Sequence, residues 1–236
     1  SLKARMCIEG NALIYELGKK YGIPNMNCGK IIVAINDVEA EAMERLYEKA
    51  EDNGVPVKML SRREMQQLEP NMRGKAGFLC PTSGVVDSHA LMRYFLGSAR
   101  ENGTQIAYKT KVSCIEKVSD GYRVRVEDVS GDSSFTTRVL INCAGLHSDK
   151  VAEMAGIDID KANYRLRYCK GEFYSVGGGK NRLVNRLIYP VPMSISVGAH
   201  VCLDVNWRLR YGPLFYYVNE ISYKVDSSRK RDLLES

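Results

Sequence analysis

The chain has 236 residues, 44% of them hydrophobic and 26% charged, which is enough apolar material for a substantial core and not the composition of a disordered polymer. No apolar run approaches the roughly 18 residues that a membrane span needs, and no secretory leader is visible. The net charge of +6 is spread along the chain apart from clusters at Arg165 to Lys170 and Arg229 to Arg231; this balance suits an anionic ligand, and without an aromatic-plus-basic signature nucleic acid is not an expected partner.

Leu2 to Tyr21 sets Met6, Leu13, Ile14, Leu17 and Tyr21 near a helical period, and Gly22 stands where a helix stops. Cys28 to Ile35 reads as a strand. Asp37 to Asn53 is an amphipathic helix with a charged, solvated face, closed by Gly54. Ser61-Arg62-Arg63-Glu64 has capping-box spacing, in which the serine and glutamate side chains each satisfy an otherwise orphaned backbone N–H, and the short helix it opens ends at Pro70. Phe78 to Pro81 leads into a turn of small residues over Thr82 to Asp87, followed by a helix over Ser88 to Asn102 with Gly103 closing it.

From there the pattern changes to period two. Thr104 to Tyr108, Lys111 to Val118, Tyr122 to Asp128 and Ser134 to Asn142 read as short strands, joined by turns at Asp120-Gly121 and Ser130-Gly131-Asp132. The last of them runs into VLINCAGLHS, Val139 to Ser148, and then a periodic segment from Asp149 to Ala155, the pattern of strand, tight turn and helix. Ala144 and Gly145 lack bulk, so backbone can approach a ligand there; Ser148 is suited to cap the helix, whose start would favour phosphate. An ordinary βα connection would use the same residues for packing. Tyr164 to Val176, Arg186 to Val191, Val197 to Val205 and Arg208 to Val218 then read as strands, Gly177-Gly178-Gly179 as a flexible loop, and Asp226 to Glu235 as the start of a helix. Opening in one helical pattern and closing in another reads as a piece of a longer polypeptide.

The seven cysteines are odd in number, never fall in a CxxC pair and mostly sit in apolar runs. They read as buried free thiols of a reducing compartment, not as a disulfide framework or a zinc site. Three scattered histidines imply no metal centre.

Three segments together resemble the D-amino-acid-oxidase-like class of FAD-dependent oxidoreductases. Gly84-Val85-Val86-Asp87 before a helix is similar to a "tGivD" segment of that class, Thr110-Lys111-Val112 to its strand over the adenine, and Val139 to Ser148 to its flavin-contacting strand and turn. Within the class the chain most resembles the L-2-hydroxyglutarate dehydrogenases and oxidases. Ser1 to Arg5, Cys28-Gly29-Lys30, Lys170 to Tyr174, Leu187 to Pro192, Gly198-Ala199-His200 and Tyr211-Gly212-Pro213 follow that family's order over nearly the whole chain. Gly198-Ala199-His200 departs from the family's Gly-Val/Ile-His, and the loop from Pro192 to Val197 is short. The GxGxxG turn that cradles the pyrophosphate in such enzymes is not in this sequence, nor is the histidine segment over the flavin ring or the C-terminal glycine-rich strand-helix pair.

The resemblance implies an α/β (α+β) fold, with part of an FAD-binding Rossmann-like layer intermingled with an antiparallel-sheet substrate domain. Residues 1–25 and 84–160 would belong to the former, and residues 26–83 and 161–236 to the latter. It implies FAD as cofactor in a site this chain completes only in part, with Val112 offering backbone to the adenine and Cys143, Ala144 and Gly145 approaching the dinucleotide. The implied reaction, in the full-length parent, is oxidation of a small anionic 2-hydroxy acid, L-2-hydroxyglutarate to 2-oxoglutarate, by hydride transfer to flavin N5; the isolated fragment would be inactive. His200 would be base or substrate donor, Tyr189 would present its hydroxyl to a carboxylate, and Lys170 and Arg167 would draw in the substrate.

Without the family, a lone strand histidine is more often a packing residue, Tyr189 a half-buried strand aromatic, and Arg167 with Lys170 a solvated strand edge. His147 would only border the turn, and His89 would lie on a helix surface. Two alternatives stand beside this reading. One is another oxidoreductase of the class, such as a glycerol-3-phosphate dehydrogenase or an amine or amino-acid oxidase, and the other is a non-catalytic substrate-binding fragment. The expected location is the cytoplasm, or the periphery of the membrane's inner face with a quinone as electron acceptor.

Overall fold

The computed structural model describes residues 1–178, 183–192 and 198–235. Gly179 of the predicted glycine loop, and Met193 to Val197 of the predicted short loop and strand start, lie outside the described residues. Two compact units form, one from Ser1–Ala99, Gly171–Tyr216 and Tyr223–Ser236, the other from Arg100–Lys170 and Tyr217–Ser222.

The first unit opens with helix α1 (Leu2–Tyr21), which Gly22 ends in the left-handed conformation at φ 68°. Strands β1 (Asn25–Met26) and β2 (Lys30–Ala34) precede helix α2 (Asp37–Asp52), whose N-cap Asn36 accepts from the Glu39 N–H at 2.9 Å. Strand β3 (Lys58–Leu60) leads to helix α3 (Arg62–Leu68), and here the capping box read from the sequence forms, Ser61 and Glu64 each bonding to the other's backbone N–H. Strands β4 (Ala76–Cys80) and β5 (Val85–Val86) and helix α4 (Ser88–Glu101) follow.

Strand β2 is apolar on both faces, and its position in the sheet explains why. Ile32 and Ala34 pack with Phe78, Cys80 and Met43 of α2, while Ile31 and Val33 pack with Leu60, Met65 and Met72. A strand covered on both sides carries a continuous apolar run instead of an alternating one.

The second unit holds a three-stranded antiparallel meander of β6 (Lys111–Val118), β7 (Gly121–Asp128) and β8 (Gly131–Thr137). Ile115, Val124 and Val126 form its core, under Val112, Leu140 and the Val151, Met154 and Ala155 side chains of and beside helix α5 (Ser148–Met154). The chain then gives β9 (Tyr168–Ser175), β10 (Leu187–Pro190), β11 (His200–Leu203), β12 (Leu209–Val218) and helix α6 (Lys230–Glu235). A seven-stranded sheet runs in the order β3-β4-β2-β10-β11-β12-β9, and β1 pairs with β5 separately.

Several expectations need correction. Thr104 to Tyr108 forms no strand, because it pairs with nothing among the described residues. The strand expected over Ser134 to Asn142 stops at Thr137, and Val139 and Ile141 are 70% and 77% exposed without a ladder partner among the described residues. Period two describes which face a residue would take, whereas a strand exists only where a neighbour completes its hydrogen bonds. The later strands are also not a purely antiparallel run, since β10 lies parallel to β2 with Leu187 opposite Lys30 and Tyr189 opposite Ile32. Ser148 is the first residue of α5 and closes the preceding 3-10 turn, its N–H donating to the Gly145 carbonyl; His147 holds the N-cap position of α5 without a side-chain bond. Of the cysteines only Cys80 is buried, while Cys7, Cys143 and Cys169 are exposed; all seven are free thiols.

A buried ion pair fixes the start of β10. Glu69, fully buried at the end of α3, accepts the Asn185 N–H on its two oxygens at 3.0 and 3.1 Å and pairs with Arg186 Nη1 at 3.4 Å. Arg186 Nη1 also donates to the Leu68 carbonyl at 3.1 Å, and the Leu187 N–H to the Gly29 carbonyl at 3.1 Å. Burial pushes the Glu69 carboxyl up, while the Asn185 N–H and Arg186 hold it back.

Candidate functional site

The register of β10 and β11, with Ile188 opposite Val201, puts Tyr189 directly across from His200. The two rings stack at 3.8 Å between centroids and 19° between planes. Phe173 of β9 meets the His200 ring edge-on at 5.7 Å. On the far side His200 faces Gly212 of β12, which contributes no side chain. Gly212 has φ 141°, and a Cβ there would lie 2.7 Å from the Glu172 carbonyl oxygen and 3.1 Å from Phe173 Cα, so only glycine lets β12 approach β9 this closely.

His200 is buried, with 7% of its surface exposed. Its Nδ1 lies 3.0 Å from the Gly198 carbonyl oxygen, which can only accept, so Nδ1 carries the proton in the neutral ring and Nε2 keeps a lone pair. Burial holds the imidazole below its ordinary value of 6.5; the Gly198 carbonyl raises it in part and the positive charge of Lys30 lowers it again. The result is a neutral imidazole at neutral pH whose free nitrogen can accept a proton. Burial likewise pushes the Tyr189 phenol up, keeping it a protonated donor. Lys30 belongs to the Cys28-Gly29-Lys30 segment of the resemblance, which gives it no site role, and its ammonium stands 5.3 Å from the Tyr189 ring centroid. The parallel pairing of β2 with β10 brings it there across more than 150 residues of chain, and no local pattern announces such a contact.

In the second unit, Cys143, Ala144 and Gly145 form one exposed turn leading into a single 3-10 turn, Gly145–His147. Gly145 takes φ 57°, and a Cβ on it would meet nothing within 4 Å. Its lack of a side chain therefore serves the backbone conformation, and the space beside it is open to a ligand. Asn142 organises the turn, its Oδ1 accepting the Ala144 N–H at 3.1 Å and its Nδ2 donating to the Ser148 carbonyl at 2.8 Å. An asparagine two residues ahead of small residues is a recognisable turn signal that sequence reading left unused.

The helix start expected to favour phosphate is that of α5. Helix α5 has only seven residues, and Asp149 in its first turn is buried, with its carboxylate accepting the Lys150 N–H at 2.8 Å and the Leu166 N–H at 3.2 Å.

Val112 lies on β6 beside a bulge between Val112 and Cys114, half-buried over the meander core. Arg167 is exposed just before β9, and Lys170 is half-buried on β9, the last strand of the seven-stranded sheet. His89 and His147 are exposed. A cavity of about 540 Å³ in the first unit, between α1 and the end of α2, contains none of the nominated residues. Among the described residues no cluster of three histidine, cysteine or acidic side chains could hold a metal ion, and no helix is long and apolar enough to cross a membrane.

Comparison with known proteins agrees with this architecture. A family model described as FAD dependent oxidoreductase matches residues 1–236. The L-2-hydroxyglutarate dehydrogenase of Escherichia coli (strain K12) is 29% identical over 234 residues, covering 98% of this chain and 53% of that protein. The mitochondrial L-2-hydroxyglutarate dehydrogenase of Caenorhabditis elegans is 34% identical over 245 residues, covering 100% of this chain and 55% of that protein. The chain thus spans about half the length of the curated relatives it matches. Among solved structures, an L-alpha-glycerophosphate oxidase from Mycoplasma pneumoniae with FAD bound superposes with a TM-score of 0.83 at 23% identity, covering 99% of this chain and 62% of that one. A glycine oxidase from Geobacillus kaustophilus gives 0.76 at 21% identity, covering 99% and 60%. At these identities the likeness is one of fold.

Proposed function

The chain belongs to the FAD dependent oxidoreductase family, and from that premise we propose that it is part of an enzyme oxidising a small 2-hydroxy acid, L-2-hydroxyglutarate to 2-oxoglutarate. The observation that carries the reading is the His200–Tyr189 stack, in which the Gly198 carbonyl holds Nδ1 and leaves Nε2 as the proton acceptor. Similarity to dehydrogenases named for that substrate, at 29% and 34% identity, supports the choice among hydroxy acids.

In this reading His200 Nε2 takes the hydroxyl proton, Tyr189 donates its hydroxyl to a substrate oxygen, and Lys170 and Arg167 attract the anion. FAD, when bound, supplies the hydride acceptor at its N5. Val112 would offer backbone to the adenine, and Cys143, Ala144 and Gly145 would form the turn that approaches the dinucleotide. Residues 1–25 and 84–160 serve the cofactor in this proposal, and residues 26–83 and 161–236 serve the substrate. The cytoplasm, or the periphery of the membrane's inner face with a quinone as electron acceptor, is the proposed setting.

The test is anaerobic bleaching of flavin absorbance in the polypeptide that carries this chain. L-2-hydroxyglutarate should bleach it and yield 2-oxoglutarate without ammonia. Bleaching by glycerol 3-phosphate or an amino acid instead, the latter with ammonia released, would assign another member of the class. His200→Ala should lower turnover by about 10²-fold or more with flavin content unchanged.

A further inference from the structure

Lys30 is a half-buried cation on an interior strand of the sheet, and no ion pair to it forms among the described residues. Its β4 register partner is Cys80, whose thiol burial pushes up and keeps neutral. Its β10 partner is Leu187, and the aromatic ring it overlies is Tyr189. No carboxylate among the described residues lies within ion-pair distance of its ammonium. By contrast Arg186, just before β10, is matched by Glu69 at the end of α3. A half-buried lysine ammonium without a carboxylate partner is available to a bound anion.

The ammonium also shares its platform with the proton acceptor. Tyr189 carries Lys30 Nζ at 5.3 Å from its ring centroid and the His200 ring at 3.8 Å. A 2-hydroxy acid has its carboxylate on the carbon that bears the reacting hydroxyl. A base for that hydroxyl therefore requires a carboxylate-binding cation within a few bonds' reach, and a flexible ammonium is such a group.

We propose that Lys30 is the cation that binds the substrate's carboxylate beside His200 and Tyr189, and so selects anionic substrates at this site. It rests on the hydroxy-acid reading for its role in catalysis, but the anion site itself is a property of this chain. Lys30 binds and orients; the proton goes to His200.

Glutarate, a five-carbon dicarboxylate without an oxidisable hydroxyl, is the probe. Calorimetric titration into the chain should show binding that Lys30→Met and Lys30→Gln each weaken by at least about tenfold and that Lys30→Arg keeps within about threefold. In the unaltered chain, saturating glutarate should slow reductive dimethylation of Lys30 by at least about fivefold and leave exposed Lys49 unaffected. Absence of glutarate binding, equal affinity in the Met and Gln variants, or undiminished labelling of Lys30 would each overturn the assignment. These readouts need no flavin. If glutarate binds through Lys30 while L-2-hydroxyglutarate fails to bleach flavin, the substrate reading falls and the anion site stands.

Discussion

His200 owes its protonation state to its packing. The ring is stacked, buried and hydrogen-bonded through Nδ1, so its proton affinity lies below the ordinary value of 6.5. In the unfolded chain the same ring takes up a proton near 6.5, before the native ring does, so the unfolded state binds more protons as pH falls. This group's contribution to stability is therefore complete above 6.5 and is lost as pH falls through the depressed native value. Urea midpoints measured at about pH 7.5 and about pH 5.5 should show this loss, and His200→Phe should flatten the difference. A variant as pH-sensitive as the parent would contradict the assignment. The histidine could be nominated from the sequence only through the family resemblance. Its stack on Tyr189 and its proximity to Lys30 came from strand pairing, and its tautomer from the nearby Gly198 carbonyl.

At the scale of elements, β12 shows how one backbone position controls the site. Gly212 combines φ 141° with a Cβ position 2.7 Å from the Glu172 carbonyl, so Gly212→Ala must open the contact with β9 or distort β12 opposite His200. We expect it to destabilise the chain by about 2–3 kcal/mol, measured by chemical denaturation. A change under about 0.5 kcal/mol would mean that the strands relax freely. Helices α1, α2 and α3 were legible beforehand because their signals are local: Gly22 as a stop, charged periodicity over Asp37 to Asp52, and the Ser61–Glu64 box. The extent of the strand before the Ala144-Gly145 turn was not, because Val139 to Asn142 has the alternating pattern of a strand yet pairs with nothing among the described residues.

For the molecule as a whole, cofactor retention is the informative measurement. The turn around Gly145 is open and conformationally set, but the sequence contains no GxGxxG turn to cradle a pyrophosphate. The 236-residue chain purified alone should therefore elute colourless from gel filtration and leave the fluorescence of added FAD unquenched. Co-elution of stoichiometric flavin would show that the chain supplies the phosphate contacts by a route other than a GxGxxG turn.

The sequence by itself determined the helices, the tight turns, the mixed α/β character and, through its motifs, the family, because each depends on residues close together in the chain or on their order along it. Only the tertiary structure decided that β10 runs parallel to β2, that Glu69 clamps Arg186, and that Lys30 reaches the ring on which His200 is stacked. Those outcomes depend on which distant strands complete each other's hydrogen bonds and on which buried charges find partners, and neither is written in any short window of residues.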